Sequence, residues 1–224
     1  MPEPDRPSPQ FMKEIEGLEL TSRPLIICDA DEVLLHFIRH MHALGQEQGI
    51  ALREPIYRLH NNLVETKTGR LLSKTECDRF ISQFFETVVH RQDAVDHAAL
   101  QLAALREHVD IIILTNLPGT ANRAARIKLL AELGMDYPLI TNSGPKGGAV
   151  AELGKGRGSN PVVFIDDSPQ NLISARTTAP HVQLVHFVAD PVFFVGAPQI
   201  DGVAFRSCCW IETGAYLKEV FGLA

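Results

Sequence analysis

The chain runs Leu25-Ile26-Ile27-Cys28 directly into Asp29-Ala30-Asp31. An apolar run that short, with no polar position, leaves no face for water. It predicts a strand covered on both sides, as in a parallel sheet. Open α/β sheets place their ligand sites at the carboxyl ends of such strands. Residues i and i+2 of an extended segment point the same way, so Asp29 and Asp31 can converge on one ligand. Acidic residues at a strand end also serve as turn formers or helix N-caps, and this segment alone does not separate the two readings.

Other segments repeat the pattern. Val162-Val163-Phe164-Ile165 ends in Asp166-Asp167, followed by Ser168 as an N-cap and Pro169 as a first helical residue. Ile111 to Leu114 ends in Thr115-Asn116, a hydroxyl and an amide, and Lys146 lies between these two strands in the chain. Three strands thus end in oxygen-bearing side chains with a lysine nearby. Carboxylate oxygens in that number suit a hard cation such as Mg²⁺, which takes one or two protein carboxylates plus phosphate oxygens.

The ordered set (Asp-x-Asp-x-Val, Thr-Asn after a strand, Lys, then Asp-Asp after a strand) resembles the haloacid dehalogenase superfamily over residues 25 to about 187. The resemblance implies Asp29 as the nucleophile that becomes an aspartyl-phosphate and Asp31 as the general acid/base. Asp166 would be the second-strand Mg²⁺ ligand beside Asp29 and the Asp31 backbone carbonyl, and Asp167 a support for the metal or the lysine. Thr115 and Asn116 would bind phosphate, and Lys146 would neutralise it. The halide-removing members lack an aspartate at the place of Asp31, so its presence implies the phosphatase branch. Glu32 and Val33 stand where many members have Gly and Thr. Lys146 follows a proline rather than preceding one, which leaves Lys155 as a second candidate.

These types suit phosphoryl transfer. Covalent catalysis splits one hard displacement into two, and positioned cations and donors stabilise the transferring group. The formal charge of −6 argues against a nucleic-acid backbone as the main partner. The apolar stretch from Val182 to Phe205 is interrupted by Asp190, Pro191, Pro198 and Asp201, so it predicts no membrane span. Four cysteines without metal or disulfide spacing fit a reducing cytoplasm, and the first ten residues show no signal-peptide pattern.

Residues 1–22 are expected to be a loose tail, being polar and proline-rich at the start. From Leu34 the apolar period becomes helical, ending near Gly49, and Ser73-Lys74-Thr75-Glu76 reads as a capping box opening a second helix. In the resembled family an insert here is a helical cap that closes over the site. Helices and strands then alternate from residue 94 to about 187, which implies a parallel sheet with right-handed crossovers. The expected architecture is an α/β Rossmann-like core (23–33 and 94–224), helices on both faces, and a helical cap (34–93). His36 and His40 at i, i+4 lack a third metal ligand. Gly154 to Gly158 precedes a strand, the wrong context for a phosphate loop. Arg53, Arg58, His60 and Lys67 either face an anionic substrate or form a solvated surface. The expected function is Mg²⁺-dependent hydrolysis of a small phosphomonoester. A mutase-like phosphotransferase and a non-catalytic binding protein on the same fold are the rivals.

Overall fold

The computed structural model describes residues 5–19, 21–56, 58–118 and 120–223. In chain order the elements are α1 (Pro9–Ile15), β1 (Leu25–Cys28), α2 (Ile38–Gln48), β2 (Ile50–Leu52), β3 (Leu63–Glu65), α3 (Lys74–Thr87), α4 (Ala98–Leu105), β4 (Asp110–Asn116) and α5 (Thr120–Glu132). They continue as β5 (Leu139–Asn142), α6 (Gly147–Leu153), β6 (Val162–Asp166), α7 (Pro169–Thr178), β7 (Gln183–Phe187), α8 (Pro191–Gly196), β8 (Val203–Ser207) and α9 (Trp210–Val220).

The apolar runs form one sheet in the order β5-β4-β1-β6-β7-β8, with every neighbouring pair parallel. All four residues of β1 are fully buried, as its composition requires. Ile26 and Cys28 face one core layer with Ile111, Ile113, Leu102, Leu130 and Leu217, so α4, α5 and α9 cover that side. Leu25 and Ile27 face the other with Phe11, Val150, Phe164 and Leu172, so α1, α6 and α7 cover it. Each large apolar side chain removed from water contributes about 1.5–3 kcal/mol, which is why the doubly covered strands carry no polar position. Strands run outward from β1 through β4 to β5, and the chain then crosses back to β6 on the other side. This reversal beside β1 is the topological switch point where α/β sheets open a crevice for ligands.

Between β1 and β4 sits a separate small unit. Helices α2 and α3 pack with the β2–β3 hairpin around Met41, Leu44, Leu63, Phe80 and Phe84. Its two connections to the sheet are tied together: Val95 N–H donates to Leu34 O at 2.8 Å and His36 N–H to Asp93 O at 3.0 Å. Ser73 and Glu76 form the capping box expected of the second helix. The hairpin was not foreseen, because two three-residue strands are too short to show an alternating pattern.

Two expectations are corrected. The described part of residues 1–22 is not a loose tail: α1 caps itself through Ser8, buries Phe11 completely, and places Glu14 against the outer strand β5. Glu14 accepts the Thr141 N–H at 2.8 Å, satisfying an edge donor that would otherwise be open. One buried phenylalanine in a seven-residue helix gives no periodicity to read. The helix expected from Leu34 begins at Ile38, because Glu32 has φ 60° and Leu34 and Leu35 both turn back to donate to Ala30 O at 2.9 Å. Beyond Asp190 the chain adds α8, the sheet-edge strand β8 and a final helix, α9. That helix packs on the core, where Trp210 donates from Nε1 to Val33 O at 2.8 Å and lies 5.3 Å from the Phe187 ring.

Candidate active site

Parallel pairing brings the oxygen-bearing strand ends together. Cys28 sits level with Ile113 and Ile165, so Asp29, Thr115 and Asp166 emerge side by side at the carboxyl edge. Asp29 is anchored by its N–H to Ile165 O at 2.9 Å. Lys146 comes from the loop after β5 and is 1% exposed. Its Nζ lies 2.6 Å from Asp29 and 2.8 Å from Asp166, bridging the two carboxylates. Gly147 follows it without a side chain, because a Cβ there would collide with Ser174. Ser174 Oγ accepts the Gly147 N–H at 2.8 Å. Lys155, by contrast, is 67% exposed at its side chain and pairs with Glu152.

Asp166 is fully buried and accepts from Ser168 N at 2.9 Å and Asn171 Nδ2 at 3.0 Å. Ser168 thus receives its order from Asp166 and makes no side-chain cap of its own. Thr115 is buried, and its Oγ1 has no hydrogen-bond partner among the described residues. A buried hydroxyl left that way costs free energy unless a ligand meets it. Asn116 ends β4, next to Thr115. The residue lines the cavity, but its amide is committed to the β5 loop, donating to Gly144 O at 2.9 Å and accepting from Asn142 at 3.0 Å.

Asp29, Asp31, Thr115, Asn116, Lys146, Asp167 and Asn171 line one cavity of about 210 Å³, roofed by Phe37 and Phe85 from the α2–α3 unit. Arg53, Arg58, His60 and Lys67 do not line it. His60 instead pairs with Asp78 at 2.7 Å. His40 Nε2 accepts the Asp93 N–H at 2.9 Å. A somewhat larger cavity, about 270 Å³, lies at the opposite end of the sheet beside Arg23, Asp110 and Arg157. Arg157, from the glycine-rich stretch, packs there against Asp110 at 2.9 Å. None of the converging carboxylates reaches that cavity.

Electrostatics distinguish the converging groups from an ordinary strand edge. Burial, with Asp166 and Asp31 adding repulsion, pushes Asp29 up to about 7 although Lys146 pulls the other way. Burial also opposes charge on Lys146, but Asp166 and Asp29 outweigh it and hold the ammonium above its ordinary value. Asp167 is raised well above the usual carboxylate range, first by burial and then by Asp166, Asp29 and Glu32. So much unneutralised carboxylate in one place favours a further cation. One oxygen each from Asp29, Asp166 and Asp167 lies within 4.8 Å of the others. Oxygens around Mg²⁺ at about 2.0–2.1 Å sit about 3–4 Å apart, so small rotations bring this donor set into range.

Two departures from the expected motif acquire reasons. Glu32 adopts a backbone conformation that glycine favours, yet its side chain earns the position. Its Oε2 accepts from Phe37 N at 3.0 Å and Ile38 N at 2.8 Å, capping α2, and its Oε1 accepts from Asp190 N at 2.6 Å. Burial pushes this carboxyl up to about 7, against the pull of those three N–H donors. Val33 is a core residue whose carbonyl receives Trp210. Sequence reasoning missed Arg126, a fully buried arginine on α5 whose fork grips Asp31, and Gln92, which bonds Asp31 at 3.0 Å. The available signal was weak: Arg126 sits beside Ile127, Leu129 and Leu130, on a helix whose polar residues otherwise look solvated.

No protein-family model matches the sequence, and no curated protein does. Solved structures do. A haloacid dehalogenase-like hydrolase from Streptococcus pneumoniae superposes with TM-score 0.59 at 14% identity, over 88% of this chain and 99% of that one. The HAD-hydrolase YfnB from Bacillus subtilis, bound to magnesium, gives 0.59 at 12% identity over 87% and 98%. A haloacid dehalogenase-like protein from Agrobacterium tumefaciens gives 0.57 at 16% identity over 88% and 98%. At these identities the likeness concerns the path of the chain. The chain has the haloacid dehalogenase-like fold: a Rossmann-like parallel sheet with helices on both faces.

Proposed function

We propose that this protein is a hydrolase of that superfamily, a Mg²⁺-dependent phosphatase acting on a small phosphomonoester, with residues 34–93 as its cap. The observation that carries this reading is the convergence of Asp29, Asp31, Thr115, Lys146, Asp166 and Asp167 at the carboxyl edge of the sheet. An apolar pair from the insert stands over them. A strand edge with no chemistry has no use for a buried lysine bridging two carboxylates and an unpartnered hydroxyl beside them.

Asp29 attacks phosphorus and carries the phosphoryl group as an aspartyl-phosphate. The ester oxygen leaves with a proton from Asp31, which then takes one from the water that hydrolyses the intermediate. Thr115 Oγ1 donates to a phosphoryl oxygen, which gives its orphaned hydroxyl a partner. Lys146 neutralises phosphoryl charge while staying protonated. Phe37 and Phe85 exclude bulk water and set a limit on substrate size. Asp29, Asp166, Asp167 and the Asp31 backbone carbonyl would hold Mg²⁺, which when bound neutralises charge developing on the transferring group.

The small cavity favours a compact phosphorylated metabolite over a nucleic acid or a membrane surface. No helix among the described residues is long and apolar enough to cross a membrane. All four cysteines are free, which supports a reducing, cytoplasmic setting. The test is phosphate release from a panel of phosphomonoesters, with and without Mg²⁺, by wild type and Asp29→Asn. Metal-dependent release that vanishes in the variant supports the reading. Absence of release from every ester by folded protein, or release that survives in the variant, refutes it.

A further inference from the structure

Asp31 does not hang freely over the cavity. Arg126 Nη1 donates to Oδ1 at 2.9 Å and Nη2 to Oδ2 at 3.2 Å, a two-pronged grip on both oxygens. Gln92 Nε2 donates to Oδ1 at 3.0 Å and also reaches the His36 carbonyl at 3.3 Å. Arg126 is 0% exposed and Gln92 2% exposed, while the Asp31 side chain keeps 17% exposure toward the cavity.

Packing does not explain these choices. The α5 face around Arg126 is apolar, with Leu129 and Leu130 in the main core, and a leucine or methionine would fill it without burying a charge. No ion-pair partner of Arg126 other than Asp31 is present among the described residues, and its Nε bonds to nothing there. The guanidinium fork matches a carboxylate in a fixed plane, whereas a lysine would hold it only as a point charge. Gln92 stands where the chain returns from the insert to the sheet, one residue before Asp93, which bonds His36. One side of the grip therefore comes from the core and the other from the base of the insert.

We propose that Arg126, assisted by Gln92, is the positioning residue that fixes the Asp31 carboxyl where the leaving oxygen of the substrate must take its proton. This rests on the phosphatase reading above. Asp31 Oδ2 accepts from Arg126 alone, whereas Oδ1 accepts from both Arg126 and Gln92, so Oδ2 keeps the lone pair that carries the proton. As the Asp29 oxygen–phosphorus bond forms and the ester P–O bond breaks, the departing oxygen acquires that proton. The attacking water later returns one proton to Asp31, and Arg126 exchanges none. Arg126 acts through Asp31 and does not touch substrate.

The test compares Arg126→Met, Asp31→Asn and the double variant on an alkyl phosphate with Mg²⁺, after circular dichroism has confirmed folding. Misplacing a reacting group by about 1 Å costs about 100-fold, so kcat of Arg126→Met should fall by about that factor with KM within about twofold. The double variant should be no slower than Asp31→Asn alone, because removing the holder of an absent acid changes nothing. Equal further loss in the Asp31→Asn background would overturn the proposal, as would a KM rise that accounts for the defect. Should Arg126→Met not fold, Arg126→Gln, which keeps one donor, serves in its place and is expected to fall between wild type and Asp31→Asn. A crystal structure of the Arg126 variant decides independently of activity: Asp31 displaced supports the proposal, and Asp31 unmoved refutes it. Wild type inactive toward every ester would sink the phosphatase reading itself, and this structural comparison would still decide whether Arg126 positions Asp31.

Discussion

Lys146→Met separates the electrostatic account of the site from a view in which its charges are incidental. The lysine is 1% exposed, and its ammonium bridges Asp29 at 2.6 Å and Asp166 at 2.8 Å. Methionine keeps most of the buried volume and removes the charge, leaving two buried carboxylates facing each other. Breaking a buried pair in this way costs about 3–5 kcal/mol. Part of that cost is relieved because Asp29, already pushed up to about 7, can take a proton. For a chain of this size about 1 kcal/mol shifts Tm by about 2–4 °C, so the unrelieved cost corresponds to a fall of about 6–20 °C, and a fall of several degrees toward the lower end is expected near pH 8. The assay is thermal unfolding of both proteins with and without Mg²⁺. A divalent cation should restore more stability to Lys146→Met than it adds to wild type, because it fills the charge deficit the variant creates. A variant within about 2 °C of wild type, with no extra response to Mg²⁺, would refute the reasoning.

Other outcomes follow from the same structure. Thr115→Val should leave unliganded stability unchanged or slightly raised, since it removes a buried hydroxyl without a partner. The same variant should weaken inhibition by inorganic phosphate about tenfold or more, and the two effects of opposite sign are read by thermal unfolding and steady-state kinetics. Phe11→Ala should cost about 3–5 kcal/mol in a denaturant titration, the usual loss for a buried phenylalanine, whereas a loose tail would lose almost nothing. Burial tends to raise Glu14, but its bonds from Thr141 and Gln10 and the charge of Arg123 hold it below its ordinary value of 4.5. Its folded form therefore favours the carboxylate: the stabilisation is complete above about 4.5 and is lost as pH falls through the lower folded value. Protection factors of the α1 amides, taken relative to the intrinsic exchange rate at each pH, should fall over that acid range in wild type, and Glu14→Gln should flatten the dependence.

Much of this arrangement was legible because it is local and repetitive. Each buried strand announces itself as a short apolar run, and the residue ending it is the one the sheet delivers to the edge. Asp29, Thr115, Asp166 and Asp167 could therefore be placed from sequence, along with the capping box at Ser73. What stayed hidden depends on contacts between distant residues. Phe11 is a lone apolar residue until α6 and the sheet close around it, and Glu14 matters only because β5 is an edge. Arg126 and Asp31 are separated by 95 residues, so nothing local marks their pairing. Glu32 misleads for a related reason, since its three N–H donors come from residues 37, 38 and 190.

The most direct measurement is to trap the covalent intermediate on this chain. Wild type mixed with a turned-over phosphomonoester and Mg²⁺, then quenched with borohydride, should carry homoserine at position 29 by peptide mass spectrometry, because an aspartyl-phosphate is reduced there and a free carboxylate is not. Homoserine at position 29 that requires both substrate and metal is the expected result. Turnover with residue 29 always recovered as aspartate, or with the reduced residue elsewhere in the chain, would contradict the assignment of Asp29 as nucleophile.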